Sequence, residues 1–410
     1  MTFEELYRTM LKQAVERGSV QADDLEASAG HLDCLLHPQD HPLVWPLNPC
    51  TCPKEETHCA AACLFDAIVR RDDGTLAVDP DRCSGCGACI QACQSGNLTA
   101  SRDVLPALDA VKHAKVPVYA LIAPAFLGQF STVVTPGRLR SAFKLLGFTG
   151  MVEVALFADL LTLKEALEFD RNIHTETDFQ LTSCCCPMWI GMIRKLYHEL
   201  MPHVPGAVSP MIAAGRTVKK LHPDAVTIFV GPCIAKKAEA READLAGAVD
   251  YVLTFQEMQD IFQAADIHPE LLEESERDHS SRAGRIYART GGVSEAVRTT
   301  VARLHPERPI QVRTRQADGV PACRAMIEDI RSGQHQANFF EGMGCTGGCV
   351  GGPKVLLDRE TGRENVDRYG DEAEFSTPLD NPYVLKLLRL LGFDTVEEFL
   401  EQSDIFIRHF

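Results

Sequence analysis

Phe340-Glu341-Gly342-Met343-Gly344-Cys345-Thr346-Gly347-Gly348-Cys349-Val350-Gly351-Gly352-Pro353 runs an apolar segment into a glycine-rich turn that holds two cysteines. Two other stretches share this design. Thr182-Ser183-Cys184-Cys185-Cys186-Pro187-Met188-Trp189 and Gly231-Pro232-Cys233-Ile234-Ala235-Lys236-Lys237-Ala238-Glu239 each read as a strand-to-helix junction. In an α/β sheet, ligands bind at the carboxyl ends of strands. Helix amino termini and exposed N–H groups there stabilise thiolate clusters. A single buried cysteine is usually a small core hydrophobe. Three such junctions, which together supply at least four cysteines, point instead to an iron–sulfur site.

Around these junctions, short apolar runs alternate with helical periodicity. Val118–Ile122, Val152–Phe157, Phe179–Thr182, Val226–Val230, Ile310–Arg313 and Asn338–Glu341 read as strands. Leu139–Leu146, the segment running through Phe169, the segment from Pro187 and Ala322–Arg331 read as helices. Strands alternating with helices predict a largely parallel α/β sheet system.

The amino-terminal part is different. Of the sixteen cysteines in 410 residues, nine lie between Cys34 and Cys93. A helix with Phe3, Leu6, Tyr7, Met10, Leu11 and Val15 on one face precedes a Pro/His-rich connector, His37 to Pro49. Then Cys83-Ser84-Gly85-Cys86-Gly87-Ala88-Cys89-Ile90-Gln91-Ala92-Cys93 gives a C-x2-C-x2-C-x3-C run. Three thiolates on a tight loop wrap one four-iron cubane, and the fourth reaches a second cluster. Zinc sites use two separated pairs instead. The partner half is respaced: Cys50, Cys52, Cys59, then Cys63. By the crossed pattern, Cys50, Cys52, Cys59 and Cys93 would hold one 4Fe–4S cluster, and Cys63, Cys83, Cys86 and Cys89 the other. This module resembles two-cluster bacterial ferredoxins, except that Leu64 and Gln94 replace the proline usual after each fourth cysteine.

Charge excludes one class of partner. With 41 Lys+Arg against 57 Asp+Glu, the net charge is −16, which repels nucleic acid unless a basic patch is concentrated somewhere. No Lys/Arg-rich run supplies one. Met1-Thr2-Phe3-Glu4-Glu5 has no basic n-region, so no secretory signal is expected. The longest apolar stretch, Val116 to Phe130, is broken by Pro117, Pro124 and Gly128. No membrane segment is expected, and the expected compartment is the reducing cytoplasm.

Taken in order, the three downstream cysteine motifs resemble the active-site signatures of the iron-only (FeFe) hydrogenases, over about residues 116 to 355. The triple-cysteine Thr182-Ser183-Cys184-Cys185-Cys186-Pro187 form is similar to a subgroup from anaerobic bacteria. Ile122-Ala123-Pro124, Thr290-Gly291-Gly292-Val293 and Asn381-Pro382-Tyr383-Val384 add to the likeness. The resemblance implies an α/β catalytic domain of two lobes, each a mainly parallel sheet flanked by helices, with the cluster in the cleft. A small α+β ferredoxin-like domain would precede it. The expected divisions are 1–49 (helix and connector), 50–100 (two-cluster domain), 110–355 (catalytic) and 356–410 (a tail packing on the catalytic domain).

The resemblance also implies an H-cluster, a 4Fe–4S cubane bridged to a di-iron unit carrying CO, cyanide and an amine-containing dithiolate. Its cubane ligands would be Cys186, Cys233, Cys345 and Cys349, with Cys349 bridging. Met343 would pack on the di-iron unit, Lys236 would hydrogen-bond a cyanide, and Ala123 and Pro124 would line the pocket. Cys185 would carry the proton, with Cys184 beside it. An anchor on Thr182-Ser183 would slide these roles to Cys184 as carrier and Cys185 as ligand; the anchor on Pro187 is preferred because Pro187 starts the helix. Glu165 and Glu168 match the acids of a proton relay whose intervening serine is replaced near Pro205, and Gly231 stands where a methionine is common. The implied reaction is 2H⁺ + 2e⁻ ⇌ H₂, with a ferredoxin-like carrier for electrons and maturation proteins for the di-iron unit. A non-catalytic assembly scaffold or a redox or H₂ sensor is the alternative. Cys34 and Cys323 are left without a role, Cys323 being expected in core packing.

Overall fold

The computed structural model describes the whole chain except residues 23–24, 54–56, 183–184, 276–278 and 402. Cys184 therefore lies outside the described residues. In the amino-terminal module, β1 (Val44–Pro46) pairs antiparallel with β4 (Leu98–Ala100), and β2 (Ile68–Arg70) with β3 (Leu76–Val78). β1 precedes residue 50, so its pairing crosses the division expected at 49/50. The cysteines sit on the short helices and turns that these hairpin-like pairs enclose.

Two parallel sheets follow. β5 (Val118–Ile122), β6 (Gly150–Glu153), β8 (Val226–Gly231) and β9 (Tyr251–Thr254) form one, in the order β6-β5-β8-β9. β7 (Gln180–Leu181), β10 (Thr314–Asp318) and β11 (Phe339–Met343) form the other, in the order β10-β11-β7. Central strands such as Val118–Ile122 and Phe339–Met343 are buried almost throughout, as sheets covered by helices on both faces require. The carboxyl ends of β5, β7, β8 and β11 run directly into the Ala123-Pro124 turn and the three cysteine junctions.

Three elements differ from expectation, each for a local reason. The apolar run Val152–Phe157 is shared: the strand stops at Glu153 and the helix Ala155–Asn172 begins. Ile310–Arg313 is not a strand. That stretch is held by side chains, with Asn338 Nδ2 donating to the Gln311 carbonyl (3.0 Å) and the Arg313 N–H donating to Asn338 Oδ1 (2.8 Å). Ladder pairing starts only at Thr314. The strand Tyr251–Thr254 was not anticipated; Thr254 ends it and caps the next helix, accepting from the Glu257 N–H at 3.1 Å.

The ends of the chain join the core around the four-stranded sheet. The first helix, Phe3–Arg17, is capped by a reciprocal Thr2–Glu5 pair. It buries Phe3, Leu6, Tyr7, Met10 and Leu11 in the core of the four-stranded sheet. Cys34 lies in that core, its thiol pushed up to about 11 by burial and by Asp33. At the other end, Phe399 and Phe406 are buried, and the Val208 N–H donates to the Phe406 carbonyl at 3.1 Å. Asp159 is the clasp between segments. Fully buried, it accepts from the Ser281 N–H (2.6 Å), the Gly284 N–H (2.8 Å) and Asn381 Nδ2 (3.4 Å).

Candidate metal centre

A cavity lies where the carboxyl ends of the two sheets face each other. It is lined by Ala123, Pro124, Cys185, Cys233, Lys236 and Met343, together with Cys349, Phe229, Pro232 and Tyr287. Its cavity volume is about 60 Å³, several times the space one water needs. The wall is mostly apolar, and its polar groups are few: the thiols, one ammonium and one phenol. Such a site is dry, so the charges placed in it act strongly.

Each wall residue is fixed by backbone geometry. Gly342 lets Trp189 lie on β11, since a Cβ there would sit 2.0 Å from the indole. Gly344 likewise leaves room for Met188, and its N–H donates to Cys186 Sγ at 3.3 Å. The helix Pro187–Leu196 thereby pins Cys186 to the end of β11. At Gly231, a Cβ would meet the Phe229 ring at 2.6 Å. Phe229 thus fills the wall beside the position where a methionine was expected. The segment Thr290-Gly291-Gly292-Val293 is stapled to the cysteine turn: the Thr290 N–H donates to the Gly347 carbonyl (3.1 Å), and the Gly347 N–H donates to Asp318 Oδ2 (2.9 Å).

The thiols fall into three groups. Burial raises Cys345 strongly, with Cys233, Cys186 and Cys349 next in effect. Cys233 is pushed up to about 11 by burial and then by Cys186, and Cys349 to about 12 by burial, Cys186 and Cys233. These four are mutual neighbours. In the amino-terminal module, Cys89 is pushed up to about 12 by burial and by Cys86, Cys83 and Cys63. Cys59 is raised by burial and by Cys93 and Cys50, and Cys52 by Cys50 first. The crossed sets, 63/83/86/89 and 50/52/59/93, are thus each brought together. Among the described residues, no three His, Cys, Asp or Glu side chains converge tightly enough for one shared ion.

Cys63, Cys83, Cys86 and Cys89, the inner set, abut the cavity's outer wall, and Cys50, Cys52, Cys59 and Cys93 form the outer set. Gly85, at positive φ, lies where a Cβ would meet Ala235 Cα at 3.2 Å, and Gly87 packs against Ile234. Cys86 is also among the neighbours that raise Cys345. Cys323, by contrast, is fully buried and donates to the Met343 carbonyl at 3.3 Å, a core contact behind β11.

The remaining expected residues are placed as follows. Cys185 lines the cavity; burial pushes its thiol well up, and Glu165 is its strongest charged neighbour. Glu165 is buried on the helix Ala155–Asn172, one turn before Glu168. Glu168 is raised by burial and held at Oε1 by Lys164 Nζ (2.7 Å), which also donates to the Leu400 carbonyl (3.2 Å). Its Oε2 is buried with no partner among the described residues. Lys236 Nζ donates to Glu239 Oε2 at 2.6 Å from the cavity wall. Met343 is 2% exposed.

Sequence reasoning passed over Lys164, Glu239, Tyr287 and Glu341. Glu341 was visible as a carboxylate inside an otherwise apolar strand. Fully buried, it accepts from the Gly291 N–H (2.8 Å) and the Ser294 N–H (2.7 Å) at a helix amino terminus. Tyr287 Oη accepts from Thr162 Oγ1 at 2.8 Å beside Glu165.

Residues 116–353 match the family described as the iron only hydrogenase large subunit, C-terminal domain. The chain belongs to the iron-only hydrogenase family. Residues 76–99 of this hydrogenase relative match the 4Fe-4S binding domain, so iron–sulfur cofactors are part of it. It is 28% identical over 275 residues to Iron hydrogenase 1 of Clostridium pasteurianum, covering 57% of this chain and 48% of that protein. It is 25% identical over 365 residues to the NADP-reducing hydrogenase subunit HndD of Solidesulfovibrio fructosivorans, covering 74% and 62%. The chain thus spans less than two thirds of either relative. Among solved structures, the apo [FeFe]-hydrogenase HydA1 from Chlamydomonas reinhardtii superposes with a TM-score of 0.63 at 22% identity, covering 75% of this chain and 98% of that one. That likeness bears on the fold. No helix among the described residues is long and apolar enough to cross a membrane.

Proposed function

We propose that this chain interconverts protons, electrons and H₂ (2H⁺ + 2e⁻ ⇌ H₂) at an H-cluster, exchanging electrons with a ferredoxin-like carrier through two 4Fe–4S clusters. One observation carries the reading. Ala123, Pro124, Cys185, Lys236, Met343 and Cys349 come from four separate stretches of the chain, were expected together from sequence motifs, and line one cavity. The donor set fits the group: four mutually close thiols for a cubane, with Cys349 opening on the cavity as the bridge. Apolar walls would receive the CO-bearing part, and an ammonium stands ready for cyanide.

Bound there, the di-iron unit supplies the redox centre at which H₂ is made or split. The chain does the rest. Cys186, Cys233, Cys345 and Cys349 would hold the cubane on the side facing the inner set. Lys236, itself held by Glu239, presents its charge-assisted donors to the cavity. Phe229, Pro232 and Met343 exclude water. Cys185 Sγ holds the proton next to the reacting centre; its thiol stays protonated at neutral pH and hands on toward Glu165. Glu168, clamped by Lys164, stands at the outer end; between the two acids Pro205 cannot relay, and water must. Maturation proteins would deliver the di-iron unit.

The test is reconstitution of the full chain with its iron–sulfur clusters and a synthetic di-iron unit. Infrared bands of metal-bound CO and cyanide, together with H₂ turnover by a reduced dye, are expected. Bands without turnover would replace catalysis by sensing or scaffolding, and absence of bands would remove the H-cluster reading.

A further inference from the structure

The two halves of the amino-terminal module are built alike, and one residue breaks the likeness. In each half the last cysteine accepts from an N–H four residues on: Ala67 to Cys63 Sγ at 3.2 Å, and Asn97 to Cys93 Sγ at 3.3 Å. In each half a three-residue strand follows at once, Ile68–Arg70 or Leu98–Ala100. The last residue of the strand is Arg70 in one half and Ala100 in the other.

Arg70 turns onto the outer cysteine set. Its Nη2 donates to Cys50 Sγ at 3.4 Å and to the Cys52 carbonyl at 2.8 Å. Its Nε is buried with no acceptor among the described residues, and a cluster sulfide would provide one. The inner set has no equivalent among the described residues. Its nearby cation, Lys195, donates to the Asp81 and Arg82 carbonyls at 2.9 and 3.2 Å and not to a sulfur. A 4Fe–4S centre that goes from 2+ to 1+ gains one electron and no compensating charge. A cation and an N–H donor at a ligand sulfur therefore favour the reduced form.

We propose that Arg70 sets the potential of the outer cluster, holding it above that of the inner one through the hydrogen bond to Cys50. Electrons then settle on the cluster nearest the solvent, where a carrier of the ferredoxin class takes or gives them. The inward step runs uphill, and outward flow is favoured. This rests on the reading that both cysteine sets hold 4Fe–4S clusters.

The experiment is an EPR-monitored redox titration of the full chain carrying its iron–sulfur clusters, as wild type, Arg70→Met and Arg70→Lys. In Arg70→Met, the oxidised-to-reduced ratio of one cluster at fixed potential is expected to rise about fivefold, a fall of about 40 mV at 59 mV per decade for one electron. The other cluster should not move. Arg70→Lys keeps the charge without the fork and should shift the same cluster less, which also serves if Arg70→Met sheds iron. Unmoved midpoints in a variant that retains both clusters overturn the proposal. A wild-type chain with only one cluster besides the catalytic cubane defeats the two-cluster reading itself, which is a different failure.

Discussion

The outer cysteine set and the cavity between the two sheets are both thiol sites, yet they are built on opposite principles. Around Cys50, Cys52 and Cys93 the sulfurs are only partly buried, while Cys59 is buried; Cys50 accepts from Arg70, and Cys93 accepts from the Asn97 N–H and shares a hydrogen bond with Ser95. Cys93 is held below the usual thiol range by Ser95 and by the Asn97 and Leu98 backbone, against the upward push of burial. Around Cys186, Cys233, Cys345 and Cys349, burial dominates, and the thiols are pushed up wherever a shift is resolved. An electron port needs exposure and stabilised thiolates. A centre that handles protons and H₂ needs dryness, and it leaves its thiolates to be stabilised by the iron they bind. The contrast makes the cavity brittle and the outer set forgiving.

The largest effect is therefore expected at the cavity. Cys349→Ala removes the proposed bridging ligand from a mostly apolar site. H₂ turnover should fall below detection and iron content by about one cubane, while the amino-terminal clusters keep their EPR signals. Survival of turnover would show that the cavity is not the reacting site.

Next comes the relay. Cys185→Ser should keep iron but lower turnover by about 10²–10⁴-fold, the range of a lost general acid or base. Cys184→Ser should leave turnover nearly unchanged. The reverse pattern would move the register to the Thr182-Ser183 anchor. One step further out, Glu165→Gln should cost about 10²-fold on the same scale, because Glu165 is buried beside Cys185 and Tyr287. Glu168→Gln should cost less. Its side chain is 13% exposed, so water can stand in. Equal losses at the two would mean that Lys164 seals the outer end and no water replaces it.

These residues divide by how they could be read. The cysteine junctions and Pro187 were legible because spacing and glycine carry geometry along the chain. Parallel β5, β8 and β11 were legible as apolar runs, and β7 nearly so. Thr314–Asp318 was not, because Arg315 and Gln316 hide the strand pattern while Asn338 decides where pairing begins. The strand Val152–Phe157 ran too far because no polar cap separates it from its helix. Lys164, Glu239 and Tyr287 were invisible for another reason. A charged or phenolic residue on a helix reads as a solvated face until tertiary packing buries it against a partner. Glu341 was half legible: its place in the strand was clear, and its two N–H donors at Gly291 and Ser294 were not.

The smallest effect is expected at the outer set, and it sharpens the contrast most. Cys52 is one of the more exposed cluster thiols and is raised chiefly by its neighbour Cys50. Serine can still present an oxygen to iron there, and water has access. Cys52→Ser should thus leave dye-driven H₂ turnover close to wild type, because a small dye can reach the inner clusters directly. Ferredoxin-driven turnover should fall several-fold, because on the proposed reading a carrier docked on the outer face would pass its electron through that cluster. The ratio of the two rates is the readout, since misfolding would lower both together. Equal losses with dye and carrier would mean that the two cysteine sets form one structural unit whose integrity the cavity needs. The outer set would then be part of the scaffold, and the brittle–forgiving distinction would end at Cys345.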